Sequence, residues 1–144
     1  MDPGIERALA ITPTSSARER TIDITTIGAR TGLPRRIEVW FYRVDGRIYL
    51  TTHPARRSWY ANILANRSFT FHLKHGVRAD LAAVGTSISE PGEREAVFRA
   101  VIADLNQPAN PAGIGQPVQP LAEWLAGSPL VRVDFEDVKK GVNR

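Results

Sequence analysis

Cysteine is absent from this chain of 144 residues, and methionine occurs once. Without thiols there is no disulfide, no thiolate zinc site, no iron–sulfur cluster and no cysteine nucleophile. No apolar stretch nears the roughly 20 residues a membrane-spanning helix needs, and the N-terminus lacks the apolar core of a signal peptide. A cytoplasmic protein without an integral membrane segment is therefore expected. Hydrolase and nucleotide fingerprints are missing too: no Gly-x-Ser-x-Gly elbow, no Gly-Lys-Ser/Thr loop and no Gly-x-Gly-x-x-Gly turn occur. Paired carboxylates are limited to Glu93/Glu95 and Glu136/Asp137, which read as solvated faces. His72 and His75 fall on a strand and its turn with no third ligand near, so no metal site is expected. A chain without a nucleophile set of its own is expected to leave its chemistry to a bound cofactor.

Lysine is scarce as well, with 3 lysines against 16 arginines. Arginine offers a planar fork suited to phosphate and carboxylate. Its distribution is uneven: residues 30–78 hold ten basic residues against only Glu38 and Asp45, a local charge of +8 within a chain of net +4. An anionic partner is the first functional hint. Nucleic acid is not the expected one, because Trp40, Tyr42, Phe69 and Phe71 alternate along strands and fit a core better than a stacking platform.

The periodicity predicts a lead-in over residues 1–20 and strands over 21–27, 36–44, 47–52, 69–73, 77–85 and 130–135. Asp45-Gly46 marks a tight hairpin. Ser58 is read as the N-cap of a short helix that buries Ile63 and Leu64, and Pro91 as the start of a helix to about Leu105. Residues 106–120 hold four of the ten prolines and form a long loop, and 121–126 add a helical turn. The expected architecture is mainly β (α+β): one domain over 1–144, a barrel of about six mostly antiparallel strands with two or three helices outside.

Two motifs stand out. Gly28-x-Arg30-Thr31-Gly32-x-Pro34-Arg35-Arg36 is either an anion cradle, in which glycine lets an anion approach backbone N–H groups and guanidinium groups, or simply a basic hairpin tip. Arg56-Arg57-Ser58-Trp59-Tyr60 puts arginines ahead of a helix N-terminus, where the dipole already favours an anion. Trp59 is a stacking surface or a packing anchor. His53 borders this second loop and can donate to an anionic oxygen or shuttle a proton. Consecutive strands link the two motifs, but the sequence does not say whether they meet in space.

These residues carry a resemblance. Thr25-Thr26-x-Gly28-x-Arg30-Thr31-Gly32-x-Pro34-Arg35, Asp45-Gly46-Arg47 and Trp59-Tyr60-x-Asn62-x-Leu64-x-Asn66 resemble the deazaflavin-dependent nitroreductase family of actinobacterial split β-barrel flavin-binding proteins. The resemblance covers about residues 21–75. It implies a split β-barrel that binds coenzyme F420, a deazaflavin hydride carrier with an anionic tail, with FMN as the alternative. The tail contacts implied are Arg30, Thr31 and Arg35, with Arg36 adjacent, and Arg57 beside them. Thr51, Thr52 and His53 would line the ring pocket, and Ser58, Trp59 and Asn62 would add contacts from the short helix. Ala29 stands where relatives usually carry a basic residue, and Glu38 and Trp40 occupy a stretch near the ring where relatives carry Pro and Tyr. The 106–120 loop lacks the tyrosine that relatives use on their substrate side. The implied activity is hydride transfer from reduced F420 to a quinone-like, nitro or other unsaturated small-molecule acceptor, with His53 or Tyr60 as proton donor. A non-catalytic protein of the same fold, binding a fatty acid or another amphipathic anion, is the alternative. Related barrels often pair, which implies a homodimer.

Overall fold

The computed structural model describes residues 1–136. Asp137, half of one carboxylate pair, lies outside the described residues. Six strands close a barrel in the order β1-β2-β3-β6-β5-β4, every neighbouring pair antiparallel. They are β1 (Thr21–Ile27), β2 (Pro34–Val44), β3 (Arg47–Thr51), β4 (Ser68–Leu73), β5 (Ala79–Ser87) and β6 (Leu130–Phe135). The Asp45-Gly46 turn between β2 and β3 has φ of 51° and 77°, the left-handed pair a two-residue hairpin requires. Among the described residues there are five helices, more than the two or three expected, because the lead-in itself folds into α1 (Pro3–Leu9) and α2 (Ala17–Arg20). The others are α3 (Ser58–Ala65), α4 (Pro91–Leu105) and α5 (Leu121–Gly127).

Strand alternation divides the core in two. Inward residues such as Ile22, Ile24, Val39, Phe41, Leu50, Phe71 and Val131 fill the barrel, joined by Leu9 and Ile11 from the lead-in and by Trp59 and Ile63 from α3. Outward residues of β2 and β3, Tyr42 and Tyr49, pack beneath α4 and α5 with Phe98, Val101, Val118 and Trp124. Trp40 packs at the edge of this second layer. The aromatic residues of the strands are therefore committed to packing, since Phe69, Phe71 and Tyr42 are buried. The lead-in is fixed by Arg20, fully buried, which forms a two-pronged ion pair with Asp104 of α4 at 2.7 and 3.0 Å and donates to the Ser15 and Pro13 carbonyls.

Two details of α3 differ from expectation. Arg57, with extended backbone, is its N-cap and Ser58 its first helical residue, and no side chain caps the first turn. Leu64 is exposed rather than buried. The helix turns Trp59, Asn62 and Ile63 to the barrel, an i, i+3, i+4 face that leaves Leu64 on the outside. The 106–120 loop is held by side-chain amides in place of regular structure. Asn106 accepts from the Val118 N–H, Asn110 bonds Ile114 in both directions, and Gln116 donates to the Leu105 and Gln107 carbonyls. No helix among the described residues is long and apolar enough to cross a membrane.

Candidate functional site

The turn between β1 and β2 is tightly folded. The Gly28 N–H donates to the Leu33 carbonyl at 2.8 Å and the Gly32 N–H to the Gly28 carbonyl at 2.9 Å. A Cβ on Gly28 would sit 2.5 Å from the Thr31 hydroxyl oxygen, which itself accepts from the Leu33 N–H. This compact turn is then stapled to α3 by Asn62. The buried Asn62 amide oxygen accepts from the Ala29 N–H at 2.9 Å, and its nitrogen donates to the Thr26 hydroxyl at 3.0 Å. Asn62 thus holds the two elements together while itself lining the cleft between them.

That staple brings the two basic motifs to one cleft of about 600 Å³. Its lining includes Arg30 and Thr31 from the turn, Arg35 and Ile37 from β2, and Arg57, Ser58 and Trp59 at the start of α3. No carboxylate among the described residues lines it. Among the described residues Arg30, Arg35 and Arg57 form no ion pair with Asp or Glu. Arg57 is steered by hydrogen bonds from Nε to the Thr52 hydroxyl at 3.0 Å and from Nη2 to the His53 carbonyl at 3.4 Å. Three arginines line the cleft beside a helix N-terminus whose first-turn N–H groups have no side-chain cap. The buried Trp59 indole N–H has no hydrogen-bond partner among the described residues. Arg30, Arg35 and Arg57 are exposed, and no described carboxylate neutralises them.

Not every sequence candidate reaches the cleft. Arg36 follows Arg35 and therefore points to the opposite face of β2, where its Nε meets Asp23 at 3.0 Å. Lys74 bonds both Asp23 and Glu38 there, which neutralises the patch. Burial would push the Asp23 carboxyl up, but hydrogen bonds from Lys74 and Arg36 outweigh it and hold the group below the usual carboxylate range. Trp40 lies in the helix-covered layer, away from the cleft lining. The Thr51 hydroxyl is buried and donates to the Pro129 carbonyl at 2.6 Å. The Tyr60 hydroxyl is 2.6 Å from the Ser87 hydroxyl, outside the cleft lining. His53 is exposed just beyond Arg57, its ring 5.2 Å from Trp124 and its Nδ1 2.9 Å from the Gln119 amide oxygen. His72 belongs to the barrel wall, between Asp80 at Nδ1 and the Thr25 hydroxyl at Nε2.

Sequence reasoning missed Gln119, Ile37 and Ala61. Ile37 and Ala61 supply the apolar part of the lining. The strand period put Ile37 on the same face as Arg35, so its position was legible once that face was identified as the cleft side. Gln119 carried no local signal, because its partner lies 66 residues away.

The fold is shared with solved structures of low sequence identity. A conserved hypothetical protein, Rv2991 from Mycobacterium tuberculosis, aligns over 94% of this chain and 81% of its own, with TM-score 0.62 and 21% identity. A pyridoxamine 5'-phosphate oxidase-related, FMN-binding protein from Nostoc punctiforme covers 94% and 81%, with TM-score 0.60 and 13% identity. An F420-H2 dependent reductase, FDR-A, covers 80% of this chain and 94% of its own, with TM-score 0.51 and 17% identity. No functionally curated protein matches the chain by sequence. The model of the F420H(2)-dependent quinone reductase family matches residues 13–109, a span containing the Gly28 turn, β2, β3 and α3. With well over half of its length fitting that model, the chain belongs to this family and is an F420H2-dependent reductase whose cofactor is coenzyme F420.

Proposed function

We propose that the arginine-lined cleft holds F420 by its anionic tail, and that the enzyme reduces a quinone-like acceptor bound between the cleft and the 106–120 loop. The single observation that carries this reading is the convergence of Arg30, Arg35 and Arg57, all unpaired with any described carboxylate, on the uncapped start of α3. A phosphate-bearing tail supplies the charge this donor set lacks. The Ile37 and Ala61 lining and the Trp59 edge suit the apolar part of a flat ring better than solvent.

Bound in reduced form, F420 supplies the hydride. The chain's own residues bind, orient and handle the proton. Arg30, Arg35 and Arg57 fix the tail, each charge-assisted contact contributing roughly 1.5–3 kcal/mol. The buried Asn62 staple keeps the turn and α3 at a fixed separation, so the guanidinium groups are preorganised before binding. His53, exposed and joined to Arg57 through its backbone carbonyl, is the proton donor to the reduced acceptor. Tyr60 is assigned a packing role because its hydroxyl is engaged by Ser87.

Fluorescence titration with F420, run beside FMN, tests the proposal. Micromolar F420 affinity with no FMN binding, together with oxidation of reduced F420 by a soluble quinone, is expected. Preference for FMN, or F420 affinity that survives loss of all three arginines, would overturn it.

A further inference from the structure

The 106–120 loop ends against the catalytic side of the molecule, and its final side chain touches His53. Gln119 sits between Val118, buried in the helix layer and bonded to Asn106, and Pro120, which caps α5. Its backbone is thus fixed on both sides. The backbone of His53 is fixed as well: Thr51 two residues earlier donates to the Pro129 carbonyl, and Pro54 packs so closely on α5 that a Cβ on Gly127 would lie 3.2 Å from the proline ring. Two anchored segments therefore bring the Gln119 amide oxygen within 2.9 Å of His53 Nδ1.

We propose that Gln119 is a positioning residue for proton transfer: its amide oxygen accepts from Nδ1–H of His53 and dedicates Nε2 to exchange with the acceptor. An amide oxygen can only accept, so the neutral ring must carry its proton at Nδ1 and its lone pair at Nε2. Nε2 has no hydrogen-bond partner among the described residues, in contrast to His72, where both ring nitrogens are engaged. The two imidazole tautomers differ little in free energy, so one hydrogen bond decides between them even on an exposed ring. The inference rests on the reading of His53 as proton donor. Hydride addition to a carbonyl acceptor breaks its C=O π bond and leaves the electron pair on oxygen. The imidazolium then gives its Nε2 proton to that oxygen, keeps the Nδ1 proton on Gln119, and is reprotonated at Nε2 from water.

Nitrogen-15 NMR of histidine-labelled, ligand-free protein at alkaline pH reads the tautomer directly, with His53 assigned by loss of its signals in His53→Phe. We expect the Nδ1–H pattern in the wild type and in Gln119→Glu, which keeps an acceptor oxygen, and a return toward Nε2–H in Gln119→Leu. In turnover with reduced F420 and a quinone, Gln119→Leu is expected to lower kcat about tenfold, a fraction of the effect of general acid catalysis, with F420 affinity unchanged and Gln119→Glu restoring the rate. An Nε2–H wild type, or a tautomer that ignores Gln119→Leu, would overturn the inference. A tautomer that moves while kcat does not would remove the proton-transfer role. Failure of F420 to bind the wild type would instead sink the assignment of the cleft, and the NMR result would stand apart from it.

Discussion

Arg35 and Arg36 are neighbours in sequence and opposites in use. Arg35 enters the cleft with Arg30 and Arg57, and no carboxylate among the described residues pairs with any of the three. Arg36 faces the outer wall, where Asp23, Glu38 and Lys74 close a network around it. The +8 window of residues 30–78 is therefore not one basic surface but two regions with different charge states. What separates them is pleat parity, since a single residue step along β2 reverses the side of the sheet. Local charge counts say that anions are welcome somewhere; only the pairing pattern says where.

The comparison can be broken most forcefully at the cleft. Arg30→Ala/Arg35→Ala removes two charge-assisted contacts at roughly 1.5–3 kcal/mol each, so F420 affinity measured by fluorescence should fall by at least about a hundredfold. Melting temperature should barely move, because neither side chain packs in the core. Next in size is Asn62→Ala, which leaves the Ala29 N–H and the Thr26 hydroxyl without their partner. A loss of about 1–3 kcal/mol in urea unfolding is expected, with weaker F420 binding as the turn loosens.

The outer wall gives the smallest effect and responds to pH. Asp23 has its carboxyl held below the usual range in the folded protein, so it contributes stability above its unfolded pKa of about 4 that is lost as pH falls through the lower folded value. Thermal unfolding followed from pH 7 to pH 3 should therefore show declining stability below about pH 4. Asp23→Asn should make that decline shallower and leave F420 affinity intact. Asp80, lowered by its hydrogen bond to His72, works in the same direction, as does Glu90, lowered by the Gly92 and Glu93 N–H groups.

Much of the barrel was legible because its strands alternate cleanly. β1 reads inward at Ile22, Ile24 and Thr26, as its period requires, and β6 occupies the predicted residues. The Asp45-Gly46 hairpin was equally plain. Errors arose where tertiary contacts outrank local pattern. Leu64 looks like a core residue of α3, but Asn62 takes the inward place because its amide bridges the Gly28 turn and Thr26. The capping assignment at Ser58 slipped by one residue because extended backbone at Arg57 already starts the helix. Arg30, Arg35 and Arg57 were recognisable as candidate anion-binding residues, yet their meeting in one cleft depends on a barrel closure linking β1, β2 and α3. Arg36, Trp40, Thr51 and Tyr60 looked equivalent to them in sequence, and packing assigns each to another place. The long loop reads as irregular because its order comes from Asn and Gln side chains, which no periodicity reports.

The most direct test exchanges one charge at a time across the strand. F420 titration of Arg35→Ala and Arg36→Ala compares two variants of equal net charge that differ only in which face of β2 is altered. A loss of about tenfold or more is expected for Arg35→Ala, from one missing charge-assisted contact, and an affinity within about twofold of wild type for Arg36→Ala. Equal losses in the two variants would mean that F420 senses only the general positive field, and would contradict the cleft as its site.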